Sequence, residues 1–255
     1  MLTKPLYRLK GKVAIITGGA SGFGKSTAKL FVQHGAKVII SDVQDEQGIS
    51  LCDEKVGIMI SYIHCDISNE NDVKNLIDLT ISKHGKLDIM VNNAGIFGDP
   101  IMPVLEISSE NFKKVFETNA YGGFLGAKHA ARVMIPKKSG IILFTASVVS
   151  IMEGLTPHAY TMSKHAIVEL MKNLCVEMGQ YDIRVNAISP CGVSTPLLTT
   201  GLGVGVLSQP LDVADAALFL ASDEAKFVSG LNFIIDGGYN VTNPSFSMAL
   251  QKRLA

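Results

Sequence analysis

The sequence has no excess of charge of either sign and no hydrophobic run long enough to cross a membrane. Its 255 residues include 23 lysines and arginines against 23 aspartates and glutamates. No block of like charges stands out, although a surface for nucleic acid or anionic lipid would need one. Hydrophobic residues make up 47% of the chain, but a membrane helix needs about 20 of them in succession. We therefore expect a soluble globular protein with neither nucleic acid nor membrane as a partner.

Cysteine and histidine are scarce and are not spaced for metal binding. The cysteines are scattered without a C-x-x-C pair, at Cys52, Cys65, Cys175 and Cys191. The absence of this pair and of cysteine–histidine ligand spacing argues against a disulfide framework or a zinc site, so we predict reduced thiols and no metal. The opening residues, MLTKPLYRLKGK, lack the apolar segment of a secretory signal, and we expect a cytoplasmic location.

Short apolar segments rich in valine and isoleucine alternate with helix-length amphipathic stretches. Strand-like segments are KVAIIT, KVIISD, ISYIHCD, LDIMVNNAG, GIILFTAS, IRVNAIS and LNFIIDGG, and a long helix is expected near 108–135. Strands that are apolar throughout are typical of a parallel sheet buried on both faces. The pattern predicts an α/β fold, a doubly wound (Rossmann) parallel sheet of about seven strands with helices on both faces. One domain would span 9–240, with terminal extensions at 1–8 and 241–255.

A glycine-rich turn, TGGASGFG, follows the first predicted strand and leads into a helix. Gly18, Gly22 and Gly24 would let the backbone approach a pyrophosphate, whose charge meets the free N–H groups at the helix N-terminus. The spacing is GxxxGxG rather than GxGxxG, and glycines also serve ordinary tight turns. The strand–turn–helix setting favours cofactor binding.

The ends of the next strands carry polar side chains suited to an adenosine group. Asp42 could accept hydrogen bonds from the ribose hydroxyls and would repel a 2′-phosphate. Neither Ser21 nor Val43 is basic, so NAD is favoured over NADP; a capping role for Asp42 is the alternative. Asp66 could accept from the adenine amino group while the backbone of Ile67 meets the ring, or it could instead cap the following helix.

Tyr160 and Lys164 lie one helical turn apart, after a serine at the end of the run GIILFTAS. A tyrosine pKa is ordinarily near 10, and a nearby ammonium would lower it. Ser147 could hold a substrate oxygen while the tyrosine exchanges its proton. This is alcohol and carbonyl chemistry if a hydride carrier is present, although such a pair is often only solvated helix surface.

With TGGASGFG, NNAG, Asn119, Ser147, Tyr160-x-x-x-Lys164 and NAISPCGVSTP in this order, the chain resembles the short-chain dehydrogenase/reductase family over about residues 9–240. It is most similar to plant members of specialised metabolism. The resemblance implies that Tyr160 is the general acid/base, that Lys164 lowers its pKa and holds the nicotinamide ribose, and that Asn119 holds a water of a proton relay. The implied cofactor-binding residues are Gly18, Ser21, Gly22, Phe23, Gly24, Asp42, Val43, Cys65, Asp66, Ile67, Asn93, Ala94, Gly95, Tyr160, Lys164, Pro190, Val193 and Thr195.

The chain departs from the family pattern in two places. Cys191 follows Pro190 where glycine is usual, and we interpret its thiol as packing rather than as a nucleophile. Only GLGVGVLSQ separates TPLLTT from PLDVADAALFLAS, where the family commonly has a longer substrate lid. This glycine-rich segment predicts a mobile flap, and either an unusually open pocket or a trimmed lid would explain it.

The residues expected around the substrate are apolar: Ile96, Phe97, Val148, Val149, Ile151, Met152, Leu155, Leu197 and Leu198. Such a lining suits a terpenoid-like molecule, unless these residues are core or subunit contacts. The leading hypothesis is NAD-dependent oxidation of a hydrophobic secondary or cyclic alcohol, or a lactol, to its carbonyl. The alternatives are a redox-neutral cyclase or isomerase that keeps NAD as a structural element, and a catalytically silent binding protein.

By resemblance, helices near 108–132 and 158–178 would build the interfaces of a homotetramer, or of a homodimer.

Overall fold

The computed structural model describes residues 7–53, 59–152, 156–191 and 209–241. Within them a seven-stranded parallel sheet has the order β3-β2-β1-β4-β5-β6-β7. This confirms the predicted doubly wound α/β fold. The strands are β1 (Val13–Thr17), β2 (Lys37–Asp42), β3 (Ile60–His64), β4 (Ile89–Asn92), β5 (Gly140–Thr145), β6 (Ile183–Pro190) and β7 (Asn232–Ile235).

Helices cover both faces of this sheet. They are α1 (Gly22–Gln33), α2 (Asp45–Asp53), α3 (Glu70–His84), α4 (Ser109–Phe116), α5 (Gly122–Met134), α6 (His158–Gly179) and α7 (Pro210–Ala221). No helix in the described ranges is long and apolar enough to span a membrane.

Two hydrophobic clusters, one on each face of the sheet, form the core. Successive strand residues point to opposite faces: Ile15 joins the cluster under α3, α5 and α6, whereas Ile16 joins the cluster under α1 and α7. Both side chains are fully buried. Burial on both faces explains why the strands are apolar throughout instead of alternating.

The strand order reverses between β1 and β4, which are direct neighbours although β2 and β3 separate them in sequence. In open α/β sheets, ligands bind at such a switch point, outside the carboxyl ends of the strands. The glycine turn follows β1, the NNAG segment begins at the end of β4, and Ser147 lies just after β5. The topology therefore gathers three sequence motifs at one edge of the sheet.

The long helix expected near 108–135 is interrupted. A π-helical turn over Glu117–Tyr121 separates α4 from α5, and Asn119 within it is buried. A π turn holds one extra residue per turn, and such turns are frequent at functional sites. Here it turns a polar side chain into the protein interior.

Candidate active site

Close backbone packing shapes the glycine turn after β1. Gly18 has a φ of +62°, and a Cβ atom added there would lie 2.7 Å from the Cα of Ala94. A Cβ atom at Gly24 would lie 2.2 Å from the carbonyl oxygen of Gly18. Side chains at either position would collide with this backbone, so only glycine lets the turn lie so close to the start of α1. The first-turn N–H groups of α1 have no helical partners. The turn therefore fits the pyrophosphate of a dinucleotide.

Asn93 braces this turn against the neighbouring strands. Its Nδ2 donates to the carbonyl oxygens of Thr17 at 2.9 Å and Gly18 at 3.2 Å. Its Oδ1 accepts from the Thr145 hydroxyl at 3.1 Å, and the Thr17 hydroxyl accepts from the Asn93 N–H. Sequence reasoning missed both threonines. The available signal was that each ends an apolar strand with a hydroxyl.

Asp42 lies beside the glycine turn, where the sequence predicted it. Its Oδ2 accepts from the backbone N–H of Ala20 at 3.1 Å, and its Oδ1 accepts from the backbone and side chain of Gln44. These bonds fix the direction of a nearly buried carboxylate next to the turn that would hold a pyrophosphate. Ser21 and Val43 border it as exposed residues.

The capping alternative for Asp66 is resolved by its neighbours. Asn69 is the N-cap of α3 and accepts from the N–H of Asn71 at 3.0 Å. Asp66 Oδ1 accepts instead from the backbone and hydroxyl of Ser68, leaving Asp66 exposed at the crevice. Cys65 beside it is buried, and burial raises the pKa of its thiol to about 12, so it stays protonated.

Ser147 and Tyr160 meet between the end of β5 and the first turn of α6. A hydrogen bond from the Ser147 side chain lowers the pKa of Tyr160, but burial raises it by more. The net direction is upward, whereas the sequence predicted that Lys164 would lower it. The reason is that desolvation penalises a phenolate, and how deeply the ring would be buried could not be read from the motif.

Lys164 is buried beneath the tyrosine. Its Nζ donates to the carbonyl oxygen of Thr145 at 2.8 Å and lies 5.4 Å from the centroid of the Tyr160 ring. Burial lowers the pKa of Lys164 to about 8. The ammonium is therefore near the tyrosine and is held by a strand carbonyl.

Asn119 links three parts of this edge of the sheet. Its Oδ1 accepts from the N–H of Ile96 at 2.8 Å, and its Nδ2 donates to the Ile96 carbonyl at 2.9 Å and to the Ser163 hydroxyl at 3.0 Å. A Cβ atom at Gly95 would lie 3.1 Å from Asn119 Oδ1 and 3.4 Å from Lys164 Nζ. Both N–H groups of the side chain are thus engaged in bracing the loop after β4 against α6.

The apolar residues expected around a substrate divide into two groups. The ring of the half-exposed Phe97 lies 4.9 Å from that of Tyr160, centroid to centroid, and Ile151 is also exposed. Val148 and Val149 are buried, in agreement with the packing alternative. Phe97 is therefore the apolar residue in direct contact with the tyrosine.

Some expected residues lie outside the described part of the chain. Pro190 ends β6, and the N–H of Cys191 donates to the carbonyl of Ile235 at 2.9 Å. Beyond Cys191 no position is described before residue 209. The residues concerned are Val193, Thr195, Leu197 and Leu198, together with Leu155 in a separate segment, and the predicted flap over 201–208 lies outside the described residues as well. Among the described residues, no group of three His, Cys, Asp or Glu side chains could hold a metal ion.

Known proteins resemble the chain over nearly its whole length. A family model for enoyl-(acyl carrier protein) reductase matches residues 18–240. Short chain aldehyde dehydrogenase 1 of Euphorbia lathyris is 54% identical, over 97% of this chain and 94% of its own. Secoisolariciresinol dehydrogenase of Forsythia intermedia is 53% identical, over 95% of this chain and 94% of its own. The solved structure of levodione reductase is 29% identical, with a TM-score of 0.85, over 92% of this chain and 100% of its own.

Proposed function

Because the chain belongs to the short-chain dehydrogenase/reductase family, we propose that it oxidises a hydrophobic secondary or cyclic alcohol, or a lactol, to the carbonyl with NAD. The observation that carries the proposal is the meeting of Ser147, Tyr160 and Lys164 beside a backbone turn that only glycines can form. Polar groups for proton transfer and a dinucleotide-shaped turn at one sheet edge are what hydride exchange with an alcohol needs.

The described residues fit a nicotinamide dinucleotide. Gly18 and Gly24 allow the tight turn at the start of α1, where free N–H groups would meet the pyrophosphate. The Asp42 carboxylate would accept from the adenosine ribose hydroxyls. A carboxylate in that place repels a 2′-phosphate, and the neighbouring Ser21 and Val43 supply no compensating cation. These features favour NAD over NADP.

The chain's own residues would handle the hydroxyl proton. A bound oxidised nicotinamide would supply the acceptor for the hydride that leaves the carbinol carbon, and its positive charge would oppose the rise in the Tyr160 pKa. Ser147 would donate to the substrate oxygen and hold it against the tyrosine. Tyr160 would accept the hydroxyl proton as the general base, while Lys164 supplies a cation 5.4 Å from the tyrosine ring. In the reverse direction the neutral phenol would return the proton.

A hydrophobic substrate is supported by the apolar surface at the tyrosine. The ring of Phe97 packs against Tyr160 at a tilt of 43° and is 47% exposed, so part of its apolar surface is open to a ligand. Relatives at about half identity include a (+)-borneol dehydrogenase of Salvia officinalis and secoisolariciresinol dehydrogenase. We extend to this chain the substrate class that these names indicate, a cyclic terpenoid-like or lignan-like alcohol.

One observation favours a redox-neutral reaction as the second candidate. Burial raises the pKa of Tyr160, which keeps the phenol neutral and able to donate a hydrogen bond to an enol or enolate oxygen. A cyclase or isomerase that keeps NAD bound would use the same serine, tyrosine and lysine in that manner.

The two candidates are separated by the stoichiometry of turnover. The protein is incubated with NAD⁺ and a panel of cyclic monoterpene alcohols and lactols, and NADH absorbance and product are both measured. Equal amounts of NADH and carbonyl product support the dehydrogenase. Product without NADH supports the redox-neutral enzyme and contradicts the leading proposal.

A further inference from the structure

The strand beside the proposed adenosine site carries a tyrosine that reaches the loop after β2. Tyr62 lies in the middle of β3, in register with Ile40, and its hydroxyl lies 2.8 Å from the main-chain carbonyl oxygen of Asp42. The same hydroxyl contacts the carboxylate of Asp45. A single hydroxyl proton is thus shared between the residue that ends β2 and the residue that begins α2.

The ring of Tyr62 rests on the backbone of α2. A Cβ atom added at Gly48 would lie 2.3 Å from the ring atoms Cδ2 and Cε2, so the ring occupies the space that a larger residue would fill. This packing restricts the directions open to the hydroxyl. Burial, with the Asp45 carboxylate, raises the pKa of Tyr62, so the hydroxyl keeps the proton that it donates.

Asp45 is tied to β3 a second time. Nδ1 of His64 lies 2.7 Å from its Oδ1, but both side chains are more than half exposed. An exposed pair of this kind contributes little to stability. The contact between Tyr62 and the Asp42 carbonyl is partly buried, and it is the one that can hold the loop.

The loop over residues 42–45 carries the carboxylate proposed to distinguish NAD from NADP. Asp42 Oδ1 accepts from both the backbone and the side chain of Gln44, so the direction of the carboxylate depends on where this loop lies. We infer that Tyr62 is a positioning residue for cofactor selection: its hydroxyl fixes the loop, and thereby holds the Asp42 carboxylate where it binds the ribose hydroxyls and repels a 2′-phosphate. The inference rests on the proposed use of NAD.

Tyr62→Phe tests this role because it keeps the ring on Gly48 and removes only the hydroxyl. A hydrogen bond of this kind is worth about 1 kcal/mol, so the Kd for NADH should rise roughly 3- to 10-fold. The Kd for NADPH should rise less, so the ratio of the two Kd values that expresses the preference for NADH should become smaller. The kcat at saturating NAD⁺ should stay unchanged. Binding is measured by titrating the full chain with each reduced dinucleotide and following the fluorescence of the dinucleotide.

Two further variants complete the experiment. Tyr181→Phe removes the hydroxyl of a partly buried tyrosine that packs on the opposite core cluster, and it should leave both Kd values unchanged. Asp45→Ala leaves the Asp42 carbonyl as the acceptor of the Tyr62 hydroxyl proton. This variant should therefore keep the preference for NADH, and it tests the inference even if Tyr62→Phe folds poorly.

The outcomes separate this inference from the proposed function. Unchanged Kd values in Tyr62→Phe would overturn the inference alone, as would equal losses of NADH and NADPH affinity in that variant. A narrowed preference for NADH in Asp45→Ala would also overturn it, because that variant keeps the bond to the Asp42 carbonyl. A wild-type protein that binds neither dinucleotide would overturn the proposed function and this inference with it.

Discussion

Lys164 is the residue at which function and stability oppose each other most directly. Its side chain is only 5% exposed, and burial lowers its pKa from 10.5 to about 8. Below pH 8 the ammonium is protonated in both the folded and unfolded states, so the folded state bears the full cost of a buried charge. As pH rises from 8 to 10.5 the folded state loses its proton first, and this cost is relieved.

Replacing the lysine with methionine should therefore stabilise the protein while removing activity. We expect Lys164→Met to raise the free energy of unfolding at pH 7 by about 1–3 kcal/mol, with the loss of the bond to Thr145 offsetting part of the gain. The difference from wild type should shrink between pH 8 and pH 10.5. Urea unfolding across this range measures it. A variant less stable than wild type at pH 7 would contradict the assigned cost of burial.

At the same scale, the sequence predicted where the candidate site residues lie in the fold better than it predicted their pKa values. The motifs located Tyr160, Lys164 and Asp42, and each lies at the carboxyl edge of the sheet. The predicted direction of the Tyr160 pKa shift was wrong, because the shift depends on how deeply the fold buries the ring. Motif spacing reports neighbours on one helix and carries no information about desolvation.

The π turn between α4 and α5 is the element that the sequence did not predict. The segment FETNAYGGFLGAKHA contains residues compatible with an ordinary α-helix. Nothing in its sequence indicates that one helical turn will hold an additional residue. The distortion accompanies hydrogen bonds from Asn119 to Ile96 and Ser163, which are distant in sequence. The strands were predictable because burial on both faces leaves an apolar run in the sequence itself.

Asn119→Ala should show how much the π turn contributes to the stability of the fold and to turnover. The change leaves the N–H and carbonyl groups of Ile96 without their partner, and we expect the free energy of unfolding to fall by about 2–4 kcal/mol together with a loss of turnover. Ser163→Ala is the matched control, because it leaves both bonds between Asn119 and Ile96 intact. It removes the bond from Asn119 and the bond that the Ser163 hydroxyl donates to the Tyr160 carbonyl, and it should cost about 1–2 kcal/mol. An equal or larger loss in Ser163→Ala would contradict the bracing role.

For the whole molecule, exposed apolar side chains on the π turn, α5 and α6 support the proposed tetramer. These side chains are Tyr121, Phe124, Met162 and Val176. The rings of Tyr121 and Phe124 lie side by side, with centroids 6.2 Å apart, and exposed apolar surface of this kind is typical of interfaces between subunits. The expected assembly pairs these helices between copies of the chain.

Light scattering after size exclusion tests this arrangement. The wild-type protein should run as a tetramer or dimer, and Phe124→Lys should lower its mass by placing a charge in the interface. Leu79→Lys on α3 changes a residue that is 54% exposed and that borders Ser61 and Tyr62 of β3, and it should leave the mass unchanged. A monomeric wild-type protein would rule out the assembly.

The most direct test of the central claim is turnover by Tyr160→Phe. This variant keeps the ring and removes the hydroxyl that would accept the substrate proton. We expect NADH formation with a substrate of the wild-type protein to fall by at least about 100-fold, while the Kd for NADH changes little. Retention of the wild-type rate by Tyr160→Phe would contradict the assignment of Tyr160 as the general base.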